Sequence, residues 1–245
     1  MTAKIYGLQP SHPTHTARLM AEHKGIDHEM VWILPGIHPL LIRLRGFRGN
    51  TVPAMKLDDG TKVQTSRGIA RALEEAKPDP PLFPEDPAKR MEVEDAERWG
   101  DETLQNVPRR IYRWIGVNRP AYREQLAEEE GVPAPKFVAA INAPVAKNLA
   151  KRVGADDEGA KATLGLLPSH LDKVERLMDA GTIGTDQPNA ADFQIVTSIR
   201  TLLCLEDLAP RIGDRPAARW AMEVMPEFPG EFPPYLPEEW LEPVR

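Results

Sequence analysis

The sequence predicts an α/β segment at the N-terminus and an all-α segment after it. Strand and helix patterns alternate through residues 1–76, prolines cluster in residues 77–87, and the patterns from there to residue 225 are helical. A chain of 245 residues accommodates one large or two small domains. We therefore expect an N-terminal domain in residues 1–76, a linker in residues 77–87, an all-α domain in residues 88–225 and an extended, proline-rich surface tail in residues 226–245.

The first three predicted elements are a strand, a helix and a second strand. Residues 4–8 predict the first strand, and a breaker-rich loop separates it from a helix predicted at residues 14–24. Residues 28–34 predict the second strand, which Pro35 and Gly36 end. Because such a unit has a right-handed crossover, we expect the two strands to be parallel.

A hairpin and a helix follow. Apolar and polar residues alternate in residues 54–58, as in a short strand, and the turn chemistry of Asp-Asp-Gly then leads to a return strand at residues 61–64. A helix begins directly afterwards, with Thr65 or Ser66 as its N-cap, because a side-chain hydroxyl can accept a bond from a free backbone N–H there. The order so far is βαβ followed by ββα.

The remaining patterns are helical. The clearest is in residues 189–205, where apolar residues form a core-facing stripe and Asn189 with Asp192 makes a variant of the capping box. Residues 88–106 predict one long helix, which residues 109–117 extend after a break at Pro108. Further helices are predicted at residues 120–131, 135–153, 159–180 and 216–225.

Composition excludes several classes of function. A formal net charge of −6 disfavours nucleic acid or an anionic membrane as the main partner. No apolar run approaches the roughly 20 residues that a membrane span needs, and the N-terminus lacks a signal-peptide pattern. The single cysteine, Cys204, lies in an apolar helical pattern, so we expect it to be buried and inert. These observations favour a cytoplasmic protein in a reducing compartment.

The stretch from Val52-Pro53 through the hairpin to Thr65-Ser66 resembles the glutathione-binding half of the thioredoxin-like domain of glutathione S-transferases. The segment of residues 184–193 is similar to a helix start in the C-terminal domain of the same family. The resemblance implies a thioredoxin-like βαβ-ββα N-terminal domain, a helical-bundle C-terminal domain and a homodimer.

The resemblance also implies roles for individual residues. Pro53 is expected to be cis, and the backbone of Val52 to hold the cysteinyl part of glutathione. Thr65 and Ser66 are expected to hold the γ-glutamyl end, although the family usually has Glu or Gln in place of Thr65. His38, in a Gly-x-His pattern, is expected to reach the glycyl end. Glutathione would be a co-substrate, and its partner a hydrophobic electrophile.

Ser11 is the candidate catalytic residue. Ser11-His12-Pro13 resembles the Ser-x-Pro of serine-type transferases, just before a helix. A free thiol has a pKa near ~8.5 and is mostly protonated at neutral pH, whereas the thiolate is the nucleophile. A hydroxyl that donates to sulfur, together with the positive end of a helix, favours the anion. A plain N-cap role for Ser11 and a thiol contact from Thr14 instead are the alternatives.

Other residues give weaker signals. His12 and His15 have the spacing of a metal pair, but no carboxylate or cysteine completes a ligand set, so we expect no metal and a pocket-lining or solvated role. Trp99, Tyr112 and Trp114 are candidates, with His12, for an apolar second-substrate pocket. The alternative for these aromatic residues is the helical core.

The function that the sequence favours is conjugation of the glutathione thiolate to an electrophilic small molecule. A non-catalytic binding or scaffold protein with the same fold is the main alternative, because Thr65 brings no charge for the ammonium group of glutathione. Thiol–disulfide exchange is disfavoured, because position 11 is serine and the chain has no Cys-x-x-Cys.

Overall fold

The structure, a computed structural model, describes residues 1–34 and 36–244. Contacts within the chain divide it into two compact units. Unit 1 comprises Met1–Glu102 and Arg176–Ser198, and unit 2 comprises Thr103–Glu175 and the chain from Ile199 onward. The limits that the sequence suggests for the N-terminal domain, the linker and the tail stay a prediction.

Unit 1 contains a four-stranded mixed sheet. Its strands are β1 (Thr2–Gly7), β2 (Asp27–Trp32), β3 (Ala54–Leu57) and β4 (Lys62–Gln64), in the spatial order β2-β1-β3-β4. β1 pairs in parallel with β2, as the crossover argument predicts, and both β1–β3 and β3–β4 are antiparallel. The predicted thioredoxin-like βαβ-ββα order is therefore confirmed. The sequence predicts that Pro35 and Gly36 end the second strand, and Pro35 lies outside the described residues.

Between these strands and directly after β4 the chain forms the helices α1 (His12–His23), α2 (His38–Leu44) and α3 (Ser66–Ala76). Apolar residues of α1, α3 and the sheet are fully buried, among them Met20, Ile5, Met55, Ile69 and Leu73. The sequence stripe of Ile69 and Leu73 thus faces the core, as their spacing of four predicts. Burying each of these side chains stabilises the fold by about 1.5–3 kcal/mol.

The helical part of the chain is confirmed, with corrections to individual helices. Its helices are α4 (Pro87–Trp99), α5 (Asn106–Asn118), α6 (Pro120–Glu129), α7 (Pro135–Ile141), α8 (Ala143–Arg152), α9 (Asp157–Asp179), α10 (Ala190–Leu203), α11 (Ala209–Ile212) and α12 (Pro216–Val224).

Two predicted helices are divided differently in the structure. The helix predicted at residues 88–106 ends at Trp99 and passes through a π-helical turn at Gly100–Leu104, so the break falls there and not at Pro108. Pro108 lies in the first turn of α5, where its missing N–H costs no helical bond. The helix predicted at residues 135–153 breaks at Asn142, two residues before Pro144, because proline has no N–H to continue the helical bonds and is tolerated only in the first turn of the next helix.

The predicted capping box at the start of α10 is confirmed. Asn189 Oδ1 accepts the N–H of Ala191 at 2.9 Å, and Asp192 Oδ2 accepts the N–H of Asn189 at 2.8 Å. The other oxygen of Asp192 accepts the N–H of Gly184. Burial raises the pKa of Asp192 to about 6, against the opposing effect of these bonds.

The C-terminal segment packs more deeply than a surface tail. The side chains of Phe232, Tyr235, Leu236, Leu241 and Val244 are buried. Phe232 makes an isolated bridge to Leu205, and its ring contacts those of two tyrosines in unit 2. A 3-10 turn follows at Glu238–Trp240. The prolines of this segment therefore accompany a part of the unit 2 core.

Candidate active site

The sheet register brings the candidate glutathione-binding residues to one edge of the sheet. Tyr6 of β1 pairs with Ala54 of β3, and Ala54 pairs with Gln64 of β4. The C-terminal ends of β1 and β4 therefore meet the N-terminal end of β3 at one edge. The chain leaves β1 toward Ser11, enters β3 from Val52-Pro53 and leaves β4 into Thr65-Ser66.

Ser11 is the N-cap residue of α1, with extended backbone at φ −92° and ψ 103°. Its N–H donates to Leu8 O at 3.1 Å, which turns the chain back toward the end of β1. The Ser11 side chain makes no capping bond to the helix, and the residue is half-buried. The hydroxyl is thus left for another partner at the positive end of a 12-residue helix.

The peptide bond between Val52 and Pro53 is cis, as the family resemblance implies. The carbonyl of Pro53 accepts the N–H of Thr65 at 3.1 Å, which joins the start of β3 to the start of α3. Pro53 is buried and Val52 is half-buried against the cluster that contains Ile42. The two candidate binding pairs are therefore hydrogen-bonded to each other.

Thr65 caps α3 from an unusual backbone conformation. Its hydroxyl accepts the N–H of Gly68 at 3.1 Å, so Thr65 and not Ser66 is the N-cap. Its φ of 68° with ψ of 147° is a region that a β-branched residue rarely enters. Such backbone conformations cost of order 1–3 kcal/mol and concentrate at ligand sites. Ser66, the first residue of α3, is buried beside it.

Thr14 faces away from solvent, unlike Ser11. It is fully buried, and its hydroxyl has no hydrogen-bond partner among the described residues. The side chain lies directly against Gly7, so close that a Cβ on Gly7 would come within 2.0 Å of the Thr14 methyl carbon. Thr14 therefore serves the contact between α1 and β1. This arrangement favours Ser11 over Thr14 as the residue that meets a ligand.

The first two histidines of α1, His12 and His15, are buried rather than solvated. His12 is 7% exposed and His15 is 3% exposed. His15 Nε2 lies 2.8 Å from Gln9 O, so it donates to that carbonyl, and its ring lies 5.9 Å from the ring of Trp32. Burial lowers the pKa of His15 to about 4, with Gln9 opposing the change and Arg18 adding to it.

We expect this depressed pKa to make folding sensitive to acid. Below its ordinary pKa of about 6.5, His15 takes up a proton in the unfolded chain, whereas in the folded chain it stays neutral down to about 4. The stability that His15 contributes is therefore lost as pH falls through this window, by about 2 kcal/mol between pH 7 and pH 5. Urea unfolding of wild type and His15→Gln at both pH values measures this; an equal loss in the two proteins would contradict the assignment.

His38 begins α2 and is half-buried, and its predicted contact with the glycyl end of glutathione stays a prediction. Residues 37–49 contain the seven residues of α2. The guanidinium of Arg45 lies 5.1 Å from the centre of the Tyr6 ring.

The candidates for a second-substrate pocket lie in different units. Trp99, at the end of α4, belongs to unit 1, and Tyr112 belongs to unit 2. The Tyr112 hydroxyl donates to Thr201 O at 2.8 Å, and burial raises its pKa well above the ordinary value. Trp114 is buried, with Nε1 donating to Asp157 at 2.7 Å. Trp114 is therefore a core residue and Tyr112 is half-buried, and the second-substrate role stays a prediction.

Cys204 is buried in unit 2, as expected. Burial raises the pKa of its thiol to about 12, which keeps it protonated at neutral pH and unreactive. Within residues 1–34 and 36–244, no group of three or more histidine, cysteine or acidic side chains is arranged to hold a metal. No helix in the same ranges is long and apolar enough to cross a membrane.

Sequence reasoning missed two residues that shape this edge of the sheet. Gly7 admits Thr14 against β1, and Gln64 bonds through its side chain to the loop that carries Val52. An isolated glycine at a strand end is a signal of close backbone approach. Nothing in the sequence marks Gln64, because its two partners are backbone groups 13 and 15 residues away.

Comparison with known proteins agrees with this geometry. Residues 10–76 match the family model of the glutathione S-transferase N-terminal domain, a range that holds Ser11, Val52-Pro53 and Thr65-Ser66. Glutathione S-transferases from Sinorhizobium meliloti and Rhodospirillum rubrum are similar in structure, with TM-scores of 0.63 and 0.61. Their identities are 17% and 19%; the first match covers 99% of both chains, and the second covers 98% of this chain and 99% of the other.

A third similar structure is the glutathione S-transferase of Methylobacterium radiotolerans in complex with glutathione sulfonate. It has a TM-score of 0.53 and 21% identity, and the match covers 97% of each chain. At these identities the likeness shows the fold, while the family model identifies the N-terminal domain. Residues 10–76 thus match the N-terminal domain of the glutathione S-transferase family, and the chain has the fold of the glutathione S-transferases.

Proposed function

We propose that this protein is a glutathione transferase that conjugates the glutathione thiolate to an electrophilic small molecule. The observation that carries the proposal is the shared sheet edge, where a non-capping hydroxyl at the start of α1 accompanies the cis Val52-Pro53 bond and the Thr65-Ser66 helix start. The similar protein that was solved with glutathione sulfonate supports glutathione as the ligand.

In the proposed reaction, each group of the site has one task. The backbone of Val52 holds the cysteinyl part of glutathione, and Thr65 with Ser66 holds the γ-glutamyl end. The Ser11 hydroxyl donates to the sulfur, so the thiol releases its proton to solvent more readily. The thiolate then forms a carbon–sulfur bond to the electrophile, which expels its leaving group or takes up a proton. His38 contacts the glycyl end.

The second substrate is proposed to be a hydrophobic electrophile, with His12, Trp99 and Tyr112 as candidate contacts. A role in detoxification, a cytoplasmic location and a homodimer complete the proposal. His12 is buried, and the hydroxyl of Tyr112 already donates to Thr201 O. We therefore propose that these residues contribute shape and apolar contact to the pocket, rather than acid–base chemistry.

Calorimetric titration with glutathione, followed by a conjugation assay, tests the proposal. We expect saturable binding in the micromolar to millimolar range and formation of a thioether with an activated aryl halide, followed by absorbance. Oxidised glutathione and cysteine alone serve as ligand controls. Absence of heat at millimolar glutathione would contradict the proposed activity.

A non-catalytic binding protein is the second candidate, and Thr65 favours it. The family usually has Glu or Gln at the position of Thr65. The Thr65 hydroxyl already accepts the N–H of Gly68, so it has less hydrogen-bonding capacity left for a ligand than a free amide or carboxylate would have. Binding of glutathione without any conjugation across a panel of electrophiles would support this candidate over the enzyme.

A further inference from the structure

The loop between α2 and β3 is held by side chains of the edge strand β4. Gln64 Oε1 accepts the N–H of Gly49 at 2.7 Å, and Gln64 Nε2 donates to Thr51 O at 3.0 Å. Two residues earlier on the same face of β4, Lys62 Nζ donates to Arg45 O at 2.8 Å. Side chains of β4 thus hold this loop at Arg45, Gly49 and Thr51.

The orientation of the Gln64 amide follows from its partners. The backbone N–H of Gly49 requires an acceptor and the carbonyl of Thr51 requires a donor, so the oxygen and nitrogen of the amide are distinguished by the loop itself. Both bonds are shorter than or close to the usual N–H···O length, and Gln64 is only half-buried. The amide therefore fixes the loop without being part of the core.

We propose that Gln64 is a positioning residue for glutathione that acts through Val52, an inference that rests on the proposed function. Gln64 holds both sides of the Val52-Pro53 peptide: its side chain holds Thr51, and its backbone is paired with Ala54. The next residue, Thr65, donates its N–H to Pro53 O. Three consecutive contacts from one end of β4 thus set the position of the Val52 backbone.

This arrangement separates binding from chemistry. Hydrogen bonds from a backbone to a tripeptide depend on the position of that backbone to within a few tenths of an ångström. Releasing the loop would weaken the hold on the cysteinyl part of glutathione, whereas the Ser11 hydroxyl at the start of α1 would keep its place. Gln64 should therefore affect the KM and Kd for glutathione, and leave kcat at saturating glutathione nearly unchanged.

The two bonds from the Gln64 side chain to Gly49 and Thr51 form what we call the Gln64 clamp. Substitution of Gln64 tests this clamp directly. Gln64→Leu removes both bonds, and the isosteric Gln64→Glu keeps an acceptor for Gly49 but turns a carboxylate oxygen toward Thr51 O. Each variant is expected to raise the glutathione Kd about tenfold, from the loss of one or two hydrogen bonds. The kcat at saturating glutathione should stay within about twofold. Lys56→Gln, an exposed residue on neighbouring β3, is the matched control and should bind glutathione as wild type does.

Gly49→Ala perturbs the same clamp from its other end. A Cβ on Gly49 would lie 2.8 Å from Gln64 Oε1, so the flexible amide must move away. Gly49→Ala should therefore raise the glutathione Kd as Gln64→Leu does. In a Gln64→Ala background the same change meets no amide and should add less than about twofold. Additive effects would show that the two residues act separately, which contradicts the clamp.

The outcomes separate this inference from the proposed function. If wild type fails to bind glutathione, both fall together. If wild type binds and the Gln64 variants bind within about twofold of it, only the positioning role is overturned. A fall in kcat as large as the fall in affinity would also overturn the positioning role alone. Amide hydrogen exchange at Gly49, which should be slow in wild type and fast in Gln64→Leu, measures the clamp without any ligand.

Discussion

Ser11→Ala is expected to lower the rate of glutathione conjugation at neutral pH by about 25-fold, the fall in thiolate fraction when the thiol pKa returns from about 6.5 to about 8.5, while glutathione affinity changes by less than about threefold. A thiol whose pKa falls by about two units gains about 2.7 kcal/mol of preferential stabilisation of its anion. Removing the hydroxyl returns most of the bound thiol to its protonated form. Affinity depends mainly on the backbone and polar contacts to the rest of the tripeptide, which the variant keeps.

Three features of the structure suit Ser11 to the task that the proposed function gives it. The Ser11 hydroxyl is not used as a helix cap, and it stands at the N-terminus of a three-turn helix whose dipole favours an anion. The imidazole of nearby His15 is neutral at neutral pH, because burial holds its pKa at about 4. At this end of α1, the Ser11 hydroxyl is thus partly accessible and makes no capping bond to the helix, whereas Thr14 is buried.

The measurement is the pH dependence of the conjugation rate, with the thiolate absorbance of bound glutathione as a direct readout. In Ser11→Ala the apparent pKa of the bound thiol should rise toward about 8.5, so the rate should recover at alkaline pH. Thr14→Val is the discriminating control, since the buried Thr14 hydroxyl is expected to have no part. A Thr14→Val enzyme that loses activity while Ser11→Ala keeps it would exchange the two roles.

The N-terminal part of the fold was predictable because its signals are local. Alternation in residues 54–58 predicts β3, and the Thr65 cap predicts the start of α3, each within a few residues of sequence. The capping box of Asn189 and Asp192 is equally local and is equally well predicted. Family resemblance then adds the cis bond at Val52-Pro53, which no local rule fixes.

The sequence predictions are wrong or incomplete mainly where contacts between residues far apart in the sequence determine the local structure. The break at Asn142 is at least signalled by Pro144, but the π-helical turn at Gly100–Leu104 has no comparable residue signal. A Cβ on Gly100 would lie 3.0 Å from the side chain of Gln194, so packing against α10 shapes this turn. The Gln64 clamp and the Gly7 contact with Thr14 also join residues that only the folded chain brings together.

Gly7→Ala is expected to destabilise unit 1 by about 3 kcal/mol or more, the upper range for overpacking a core. The added Cβ would lie 2.0 Å from the methyl carbon of Thr14, 2.7 Å from its hydroxyl oxygen and 2.9 Å from its Cβ. Thr14 is fully buried on the first turn of α1, so it has no free direction in which to turn. The start of α1 must shift, and with it Ser11.

The clash has a specific partner, which makes the prediction testable by rescue. Thr14→Ala removes the two closest atoms, so Gly7→Ala should cost markedly less in that background than in wild type, and less again with Thr14→Gly. Gly165→Ala is the matched control, because this helical glycine has ordinary φ and no neighbour within 4 Å of its added Cβ. It should raise the free energy of unfolding, by up to about 1 kcal/mol.

Chemical unfolding of the four-protein cycle of Gly7 and Thr14 supplies the free energies, and the conjugation rate of the variants that stay folded supplies the second readout. A shifted α1 predicts that Gly7→Ala loses activity beyond its loss of folded protein, and that Thr14→Ala restores both together. Equal costs of Gly7→Ala in the two backgrounds would mean that Thr14 is not what this glycine accommodates. Restored stability without restored activity would separate the packing of α1 from the position of Ser11, and the catalytic assignment of Ser11 would then lose its structural basis.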